Sequence, residues 1–197
     1  GPDFALLEQL AGECFMPLAY GGGIGSVQTA RDVMKCGVEK VILNSAAWRK
    51  PELVSDVASV LGSSSTMVSL DVQKSRGVPR RFDHVSHSVD KKSNLSDDVK
   101  AMIAAGAGEL LVQSVERDGT MSGPDLQLLR DVAGNLPIPV VYAGGVSSLH
   151  DASDIWNLGV SGVAAGAWFV FRGPHRAVLI TYPGYDDIVA SYSCENR

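Results

Sequence analysis

The sequence predicts an α/β fold of the (β/α)8 TIM-barrel type, carried here by about six strand–helix units and so an incomplete barrel. Two observations predict it. Short β-rich apolar runs alternate with amphipathic stretches along the whole chain, which is the pattern of parallel strands joined by crossover helices. One part of that alternation also repeats another at a fixed offset.

Taken in order, Phe4, Leu7, Leu10 and Ala11 recur at helical spacing behind Asp3, so the chain opens in a helix. The first strand reads as 17–20, ending in Gly21-Gly22-Gly23. Ser26 is placed to cap the next helix and Gly37 to stop it. Lys40–Leu43 is a strand closed by Asn44-Ser45, and a helix runs from Pro51 to near Gly62. Residues 66–70 form the third strand, ending at Asp71. The polar stretch 72–94 holds a small hairpin at 82–88, lying over one barrel mouth. Ser96 opens a helix to Gly106, and Glu109–Ser114 is a strand followed by the turn composition Arg117-Asp118-Gly119-Thr120. Residues 125–133 read as helix and 139–142 as a strand ending in Gly144-Gly145. Ser147 or Ser148 caps the helix that follows, and 162–165 is the last strand. A short helix at 175–179 precedes the breaker Tyr182-Pro183-Gly184. With six units and no linker composition, residues 1–197 read as one domain.

The repeat settles the architecture. Pro139 stands 122 positions after Pro17, and at that offset Tyr20 meets Tyr142, Gly22-Gly23 meets Gly144-Gly145 and Ser26 meets Ser148. Asp32 meets Asp154 and Gly37-Val38 meets Gly159-Val160 without a gap. Each copy is strand, glycine-rich turn, helix, strand, and two further strand units lie between the copies. A half therefore contains four units and two halves eight. The mates of the strands at Asp71 and Ser114 would precede Gly1, so the chain reads as strands three to eight of such a barrel. Either the natural chain extends N-terminally or this is a six-unit fragment; if it starts at Gly1, the open parallel sheet exposes two edges, and a homo-oligomer that completes the barrel, or help from another strand, is expected.

Composition narrows the functional classes. A net charge of −5 with no basic run argues against nucleic acid as a partner. No apolar stretch reaches membrane-span length and no signal-peptide pattern opens the chain. Cys14, Cys36 and Cys194 show no metal spacing and read as buried free thiols, which points to a reducing cytoplasm; neither a metal nor a cofactor is expected.

Glycines at the C-terminal ends of barrel strands let backbone N–H groups approach a phosphate. Here they occur twice, Gly22-Gly23 with Asn44-Ser45 at the next strand end, and Gly144-Gly145 with Gly166-Ala167. One such pair is as well explained by tight strand-to-helix packing; the duplicated arrangement favours a ligand with a phosphate at each end. Asp71 is the only carboxylate closing the otherwise apolar strand Met67-Val68-Ser69-Leu70-Asp71 and is the candidate acid or base. Its alternative is a structural partner to a lysine. Asp118 is a second candidate, although Asp118 or Thr120 could equally cap a turn. His84, His87, His150 and His175 share no ligand spacing and read as solvated or structural.

Gly21-Gly22-Gly23-Ile24, Val41-Ile42-Leu43-Asn44-Ser45-Ala46-Ala47, Ser69-Leu70-Asp71-Val72 and Ser114-Val115-Glu116-Arg117-Asp118-Gly119-Thr120 together resemble one known family. It is the cyclase subunit of imidazole glycerol phosphate synthase, and the resemblance runs from Asp3 to about Leu179. It implies a barrel that takes ammonia from a glutaminase of the class I amidotransferase type. The ammonia is condensed with a bis-phosphorylated ribulosyl formimino aminoimidazole carboxamide nucleotide, giving imidazole glycerol phosphate and an aminoimidazole carboxamide ribotide. By position, Asp71 matches the family's catalytic aspartate after the fifth strand. Gly22, Gly23, Asn44 and Ser45 fall at one phosphate site, and Asp118, Gly119, Thr120, Gly144, Gly145, Gly166 and Ala167 in or near the other. Where Ala167 stands the family usually has Ser, so one hydroxyl contact is lost while backbone donors remain. Lys40 and Glu109 match the family's ammonia gate at the opposite end of the barrel. The family's other catalytic aspartate and its lysine-bearing lid would precede Gly1. One positioned proton-transfer group is worth roughly 10²–10⁴-fold in rate, so a chain without it is expected to be much slower.

Three rival readings stand beside this one. The phosphoribosyl formimino isomerase shares the duplicated barrel and an Arg-Asp-Gly loop, but Asn44-Ser45 and the gate pair lean to the cyclase. A cyclase paralogue from sugar-amidation gene sets for surface polysaccharide is suggested by the stretch Gly173-Pro174-His175-Arg176-Ala177-Val178-Leu179-Ile180-Thr181-Tyr182-Pro183. The last is a truncated barrel that binds phosphate and self-associates without turnover.

Overall fold

The computed structural model describes residues 1–134 and 136–193. Helix α1 (Phe4–Glu13) begins where the Asp3 carboxylate accepts from the Leu6 N–H, a side-chain cap for one of the unpaired first-turn donors. Strand β1 (Ala19–Gly21) leads to α2 (Val27–Lys35), capped by the Ser26 hydroxyl on the Thr29 N–H, and then to β2 (Lys40–Leu43). Two helices follow, α3 (Ser45–Arg49) and α4 (Glu52–Leu61), where the sequence had suggested only the second. A five-residue helix has too few turns to show a periodicity, which is why it went unseen.

Strand β3 (Thr66–Ser75) continues well past Asp71 and turns back through Arg76-Gly77 into β4 (Val78–Asp83). Both turn residues have positive φ, 52° and 79°, the geometry of a tight two-residue hairpin. A second reversal brings β5 (Ser88–Val89) against Phe82 and Asp83. The expected hairpin at 82–88 is thus the outer half of a longer three-stranded arm. Then come α5 (Leu95–Ala104), β6 (Glu109–Ser114), α6 (Leu126–Val132), β7 (Val140–Ala143), α7 (Leu149–Trp156) and β8 (Gly162–Ala164). Ser148, not Ser147, caps α7 through the Asp151 N–H, while the Ser147 N–H and hydroxyl both donate to the Asp151 carboxylate.

The tail corrects the sequence reading. After α8 (Ala167–Val170), strands β9 (Phe171–Arg172) and β10 (Ala177–Val178) pair as a small antiparallel hairpin where a helix at 175–179 was expected. The exposed, partly β-branched run Ala177-Val178-Leu179 extends beside α8, with the Leu179 N–H donating to the Val170 carbonyl and Thr181 N–H to that of Phe169. Beyond the Pro183-Gly184 breaker lies α9 (Tyr185–Ser193), also unforeseen.

Strands pair in parallel in the order β1-β2-β3-β6-β7-β8, which is the chain order of the six βα units once the β3–β4–β5 arm is set aside. Helices cover one face and the sheet curves into an open half-barrel, the partial (β/α)8 architecture. Alternate residues of each strand face opposite ways. Val41, Leu43, Val68, Leu70, Leu110, Val112, Val140 and Tyr142 are buried towards the helices. Lys40, Ile42, Ser69, Asp71, Glu109, Leu111 and Gln113 belong to the other, interior face. The helix-side core falls into two clusters, one around α2, β2 and α4 and one around β6, α6 and β7, so the repeat visible in sequence is also a division of the packing. Among the thiols, Cys36 is buried but Cys14 is exposed, which corrects the expectation of buried cysteines: it lies just past the end of α1, where no helix packs over it. Cys194 lies outside the described residues. No helix of the described residues is long and apolar enough to cross a membrane.

Candidate functional site

The C-terminal ends of all six parallel strands open on one mouth, and the sequence-predicted residues distribute across it in two wings about a central carboxylate. Asp71 sits on β3, the third strand of six, with only 1% of its surface exposed. It is a buried charge, and a buried charge needs partners. The Ser69 hydroxyl donates to Oδ1 at 2.6 Å, from two residues back on the same strand face. The Asn44 amide donates to Oδ2 at 2.8 Å from the end of β2, and His84 Nε2 lies 2.8 Å from the same oxygen. Gln113, its registered neighbour on β6, lines the same 350 Å3 cavity. The lysine partner considered as an alternative is not there: Lys74 goes instead to Asp125, at 2.7 Å.

His84 is the residue the sequence did not reveal. It belongs to the arm after β3, thirteen positions from Asp71, and only the path of β3 and β4 brings it back over the strand end. The other histidines behave as expected: His87 is exposed, His150 pairs with Asp154 on the surface of α7, and His175 is exposed. The Phe82 ring meets His84 edge-on with centroids 4.9 Å apart. Asp83, beside it, anchors the arm: it accepts from the Ser45 hydroxyl and the Arg49 guanidinium, each at 2.7 Å, and from the Val85 N–H and Ser86 hydroxyl at 3.0 Å. Burial works against the charged form of Asp83, yet these donors outweigh it and hold the carboxyl well below the usual carboxylate range.

The first wing is a cavity of about 420 Å3 lined by Gly22, Gly23, Asn44, Ser45, Arg49 and His84 among others. It shares Gly22, Asn44 and His84 with the Asp71 cavity, so the two are continuous. Gly22 and Gly23 have φ of 134° and 66°, a backbone conformation that favours glycine, and without a Cβ their N–H groups are open to close approach. Asn44 Oδ1 is buried without a donor among the described residues, the kind of acceptor that a ligand or water is expected to satisfy.

The second wing is a cavity of about 280 Å3 lined by Asp118, Gly119, Gly144, Gly145, Gly166 and Ala167 with their neighbours. Thr120 does not face it as a ligand. Its hydroxyl donates to the Arg117 carbonyl at 2.7 Å, so it closes the turn, the alternative the sequence left open. Gly144 and Gly145 also have a packing reason to be glycine. A Cβ would meet the Ser114 carbonyl oxygen at 2.6 Å and the Gly123 carbonyl oxygen at 2.2 Å respectively.

At the opposite end of the interior face, the Lys40 ammonium pairs with the Glu109 carboxylate across β3. Among the described residues no group of three or more His, Cys, Asp or Glu could hold a metal ion.

A half-barrel with paired glycine-lined cavities flanking a buried carboxylate defines a partial barrel of the (β/α)8 type. The model of the histidine biosynthesis protein family matches residues 1–174, and the chain belongs to that family. A relative from Leptospira interrogans, provisionally named imidazole glycerol phosphate synthase subunit HisF, is 43% identical over 189 residues, 94% of this chain and 74% of its own length. A Pseudomonas aeruginosa relative, provisionally named as subunit hisF2 of the same synthase, is 39% identical over 92% of this chain and 73% of its own. A Vibrio vulnificus relative provisionally named hisF3 is 38% identical over 92% and 71%.

Proposed function

We propose that the chain carries the cyclase site of an imidazole glycerol phosphate synthase. In this reading it uses ammonia to convert the bis-phosphorylated ribulosyl formimino aminoimidazole carboxamide nucleotide into imidazole glycerol phosphate and the aminoimidazole carboxamide ribotide. The observation that carries it is the order of the strand ends. Gly22-Gly23 and Asn44-Ser45 end β1 and β2, Asp71 lies on β3, and Asp118-Gly119, Gly144-Gly145 and Gly166-Ala167 follow β6, β7 and β8. A ligand with a phosphate at each end, one in each wing, lays its middle over Asp71. Backbone N–H groups, that of Ser45 among them, take one phosphate, the glycines of the second wing the other, and acid–base chemistry is centred on Asp71. The relatives' names support the same reaction.

The ammonia comes from a glutaminase subunit of the class I amidotransferase type docked at the opposite end, where Lys40 and Glu109 stand as a gate. A second reading rests on the tail from Gly173 to Pro183, which resembles that of a sugar-amidation paralogue. There the same ammonia-using barrel serves amidation of a surface-polysaccharide sugar. Turnover of the ribulosyl formimino nucleotide at high ammonium, without glutaminase, decides between them. Product formation supports the histidine reaction. Binding without product removes it in favour of the sugar-amidation paralogue or of a self-associating phosphate-binding barrel.

A further inference from the structure

Arg80 and Arg81 are neighbours on β4, and strand alternation sends their side chains to opposite faces of the arm. Arg81 is neutralised on its face. Its guanidinium donates to Asp90 at 2.5 Å and to Asp98 at 3.3 Å, and it lies 4.7 Å over the Trp48 ring. Arg80 meets no carboxylate. It lines a cavity of about 280 Å3 together with Ser75, Arg76, Val78 and Lys91, so the wall carries three cations and no acid. Among the described residues none of the three forms an ion pair, in a chain whose net charge is −5. Cations gathered without a counter-charge repel one another, and an anion among them relieves that repulsion.

The cationic wall is built on a fixed backbone. Arg80 donates to the Ser93 carbonyl, and the buried Ser93 hydroxyl accepts from the Arg81 N–H and donates to the Asp90 carbonyl. Lys91 rides on the turn closed there, where the Lys92 N–H donates to the Asp90 carboxylate and the Ser93 N–H to the Asp90 carbonyl. Arg76 is the first central residue of the β3–β4 turn, with φ of 52°. Asn, Asp or Gly takes that conformation with less strain, so the turn itself has no use for an arginine.

Register places the cavity. Arg80 lies opposite Gln73 and Val78 opposite Ser75, and directly opposed residues share a face. Ser75 is four residues beyond Asp71 on the same alternation of β3, roughly 13 Å at the rise of a strand. The cavity shares no lining residue with the three at the mouth, so it is separate from them and farther out on the arm. We infer that Arg76, Arg80 and Lys91 form a binding site for the phosphoryl group of a phosphorylated small molecule. Guanidinium forks match phosphate oxygens in pairs, and the lysine adds a point charge. The cavity has the volume of a small-ligand pocket. This site uses no step of the reaction proposed for the mouth.

The test follows backbone amides of the full chain by nitrogen-15 spectra during titration with sodium pyrophosphate, against sodium chloride at equal ionic strength. The amides of Arg76, Arg80 and Lys91 are expected to shift saturably with pyrophosphate and not with chloride. Arg76→Asn combined with Lys91→Gln should weaken that response about tenfold or more. Asn suits the positive φ of the turn and Lys91 is exposed, so both changes leave the fold in place. Lys35→Gln with Lys100→Gln removes the same charge from exposed positions elsewhere and should leave the response unchanged. Arm amides that stay still, that move equally with chloride, or that respond undiminished in the Arg76→Asn, Lys91→Gln variant overturn the site. The amides of Gly22, Gly23, Gly144 and Gly145 report the mouth in the same spectra. Failure of the mouth reading and failure of the arm site are therefore separately visible.

Discussion

Lys40 opens β2 and Glu109 opens β6, yet their charged ends meet on the interior face across β3, the strand that separates them. Strand register makes this possible. Glu109 is registered with Met67 and Met67 with Ile42, and Lys40 is two residues before Ile42 on the same face. Gln113, four residues on from Glu109, is registered beside Asp71, so the pair and the carboxylate terminate one column of interior side chains.

The pair is partly wet, with the lysine side chain 41% exposed and the glutamate 13%. Such ion pairs couple weakly, and a double-mutant cycle with Lys40→Met and Glu109→Gln is expected to give a coupling of about 1 kcal/mol or less by urea denaturation. If the pair gates ammonia, the same variants keep their rate with added ammonium but lose about tenfold or more with glutamine and a glutaminase, equivalent to about 1.4 kcal/mol of barrier. Equal losses with both nitrogen sources would remove the gate.

Asp125 supplies a pH-dependent lock on the arm. Its carboxylate accepts from the Leu128 N–H as the cap of α6 and lies 2.7 Å from Lys74 Nζ near the end of β3. Burial favours the neutral acid, but the Lys74 and Leu128 hydrogen bonds outweigh it and the pKa falls below 3.8. A lowered carboxylate pKa stabilises the fold above the unfolded-state value, and that contribution fades as pH falls through the lower, folded-state one. Asp125→Asn keeps the cap and removes only the charge. Its stability deficit in urea is expected at pH 7 and should shrink steadily below about pH 4. Asp125→Ala, which also loses the cap, should cost a further 0.5–2 kcal/mol or so at either pH.

Asp83 follows the same sign at the tip of the arm. Its pKa is held low by Ser45, Arg49, Val85 and Ser86 against the opposing effect of burial, so its anchor persists at neutral pH and weakens on acidification below the ordinary carboxylate range. Asp83→Ala frees the loop at 84–87 from α3 while leaving the sheet intact. Limited proteolysis is expected to cut that loop faster than in the parent at pH 7, with far-ultraviolet circular dichroism unchanged. An unaltered cleavage rate would show that the β4–β5 pairing alone holds the loop.

Much of this architecture is legible in the sequence because it is local. The Ser26 cap, the β2 and β6 bounds and the glycine pairs all follow from neighbours within a few residues, and the repeat supplies the strand order; the choice between Ser147 and Ser148 is settled only by the structure. Asp71 is legible as a lone carboxylate in an apolar strand. His84 is not, because its approach depends on how far β3 runs on and how the Arg76-Gly77 turn aims the returning chain. The β9–β10 hairpin was missed for a similar reason: its pairing is set by packing beside α8, not by a turn signature at Gly173–Arg176.

The two glycine pairs, equal in sequence, are expected to answer substitution differently. Gly145 has φ 82° and a Cβ would lie 2.2 Å from the Gly123 carbonyl oxygen, which itself accepts from Arg117, while the Gly123 N–H donates to the Gly145 carbonyl. Gly145→Ala must therefore break the loop at 117–123 away from β7 and should cost about 3 kcal/mol or more, on the scale of the larger single-residue effects. Gly22 has φ 134° but its nearest neighbour to a new Cβ is the Tyr20 hydroxyl at 3.6 Å. Gly22→Ala meets backbone strain alone, about 1–3 kcal/mol. Thermal unfolding gives the stability order, and isothermal titration with the bis-phosphorylated nucleotide gives the binding. Gly22→Ala that stays folded yet binds at least tenfold more weakly would make the first wing a phosphate cradle. Unchanged binding by a folded Gly22→Ala would reduce that glycine to a turn residue and leave the second wing, where packing and binding cannot be separated by a single methyl, as the only site for a phosphate.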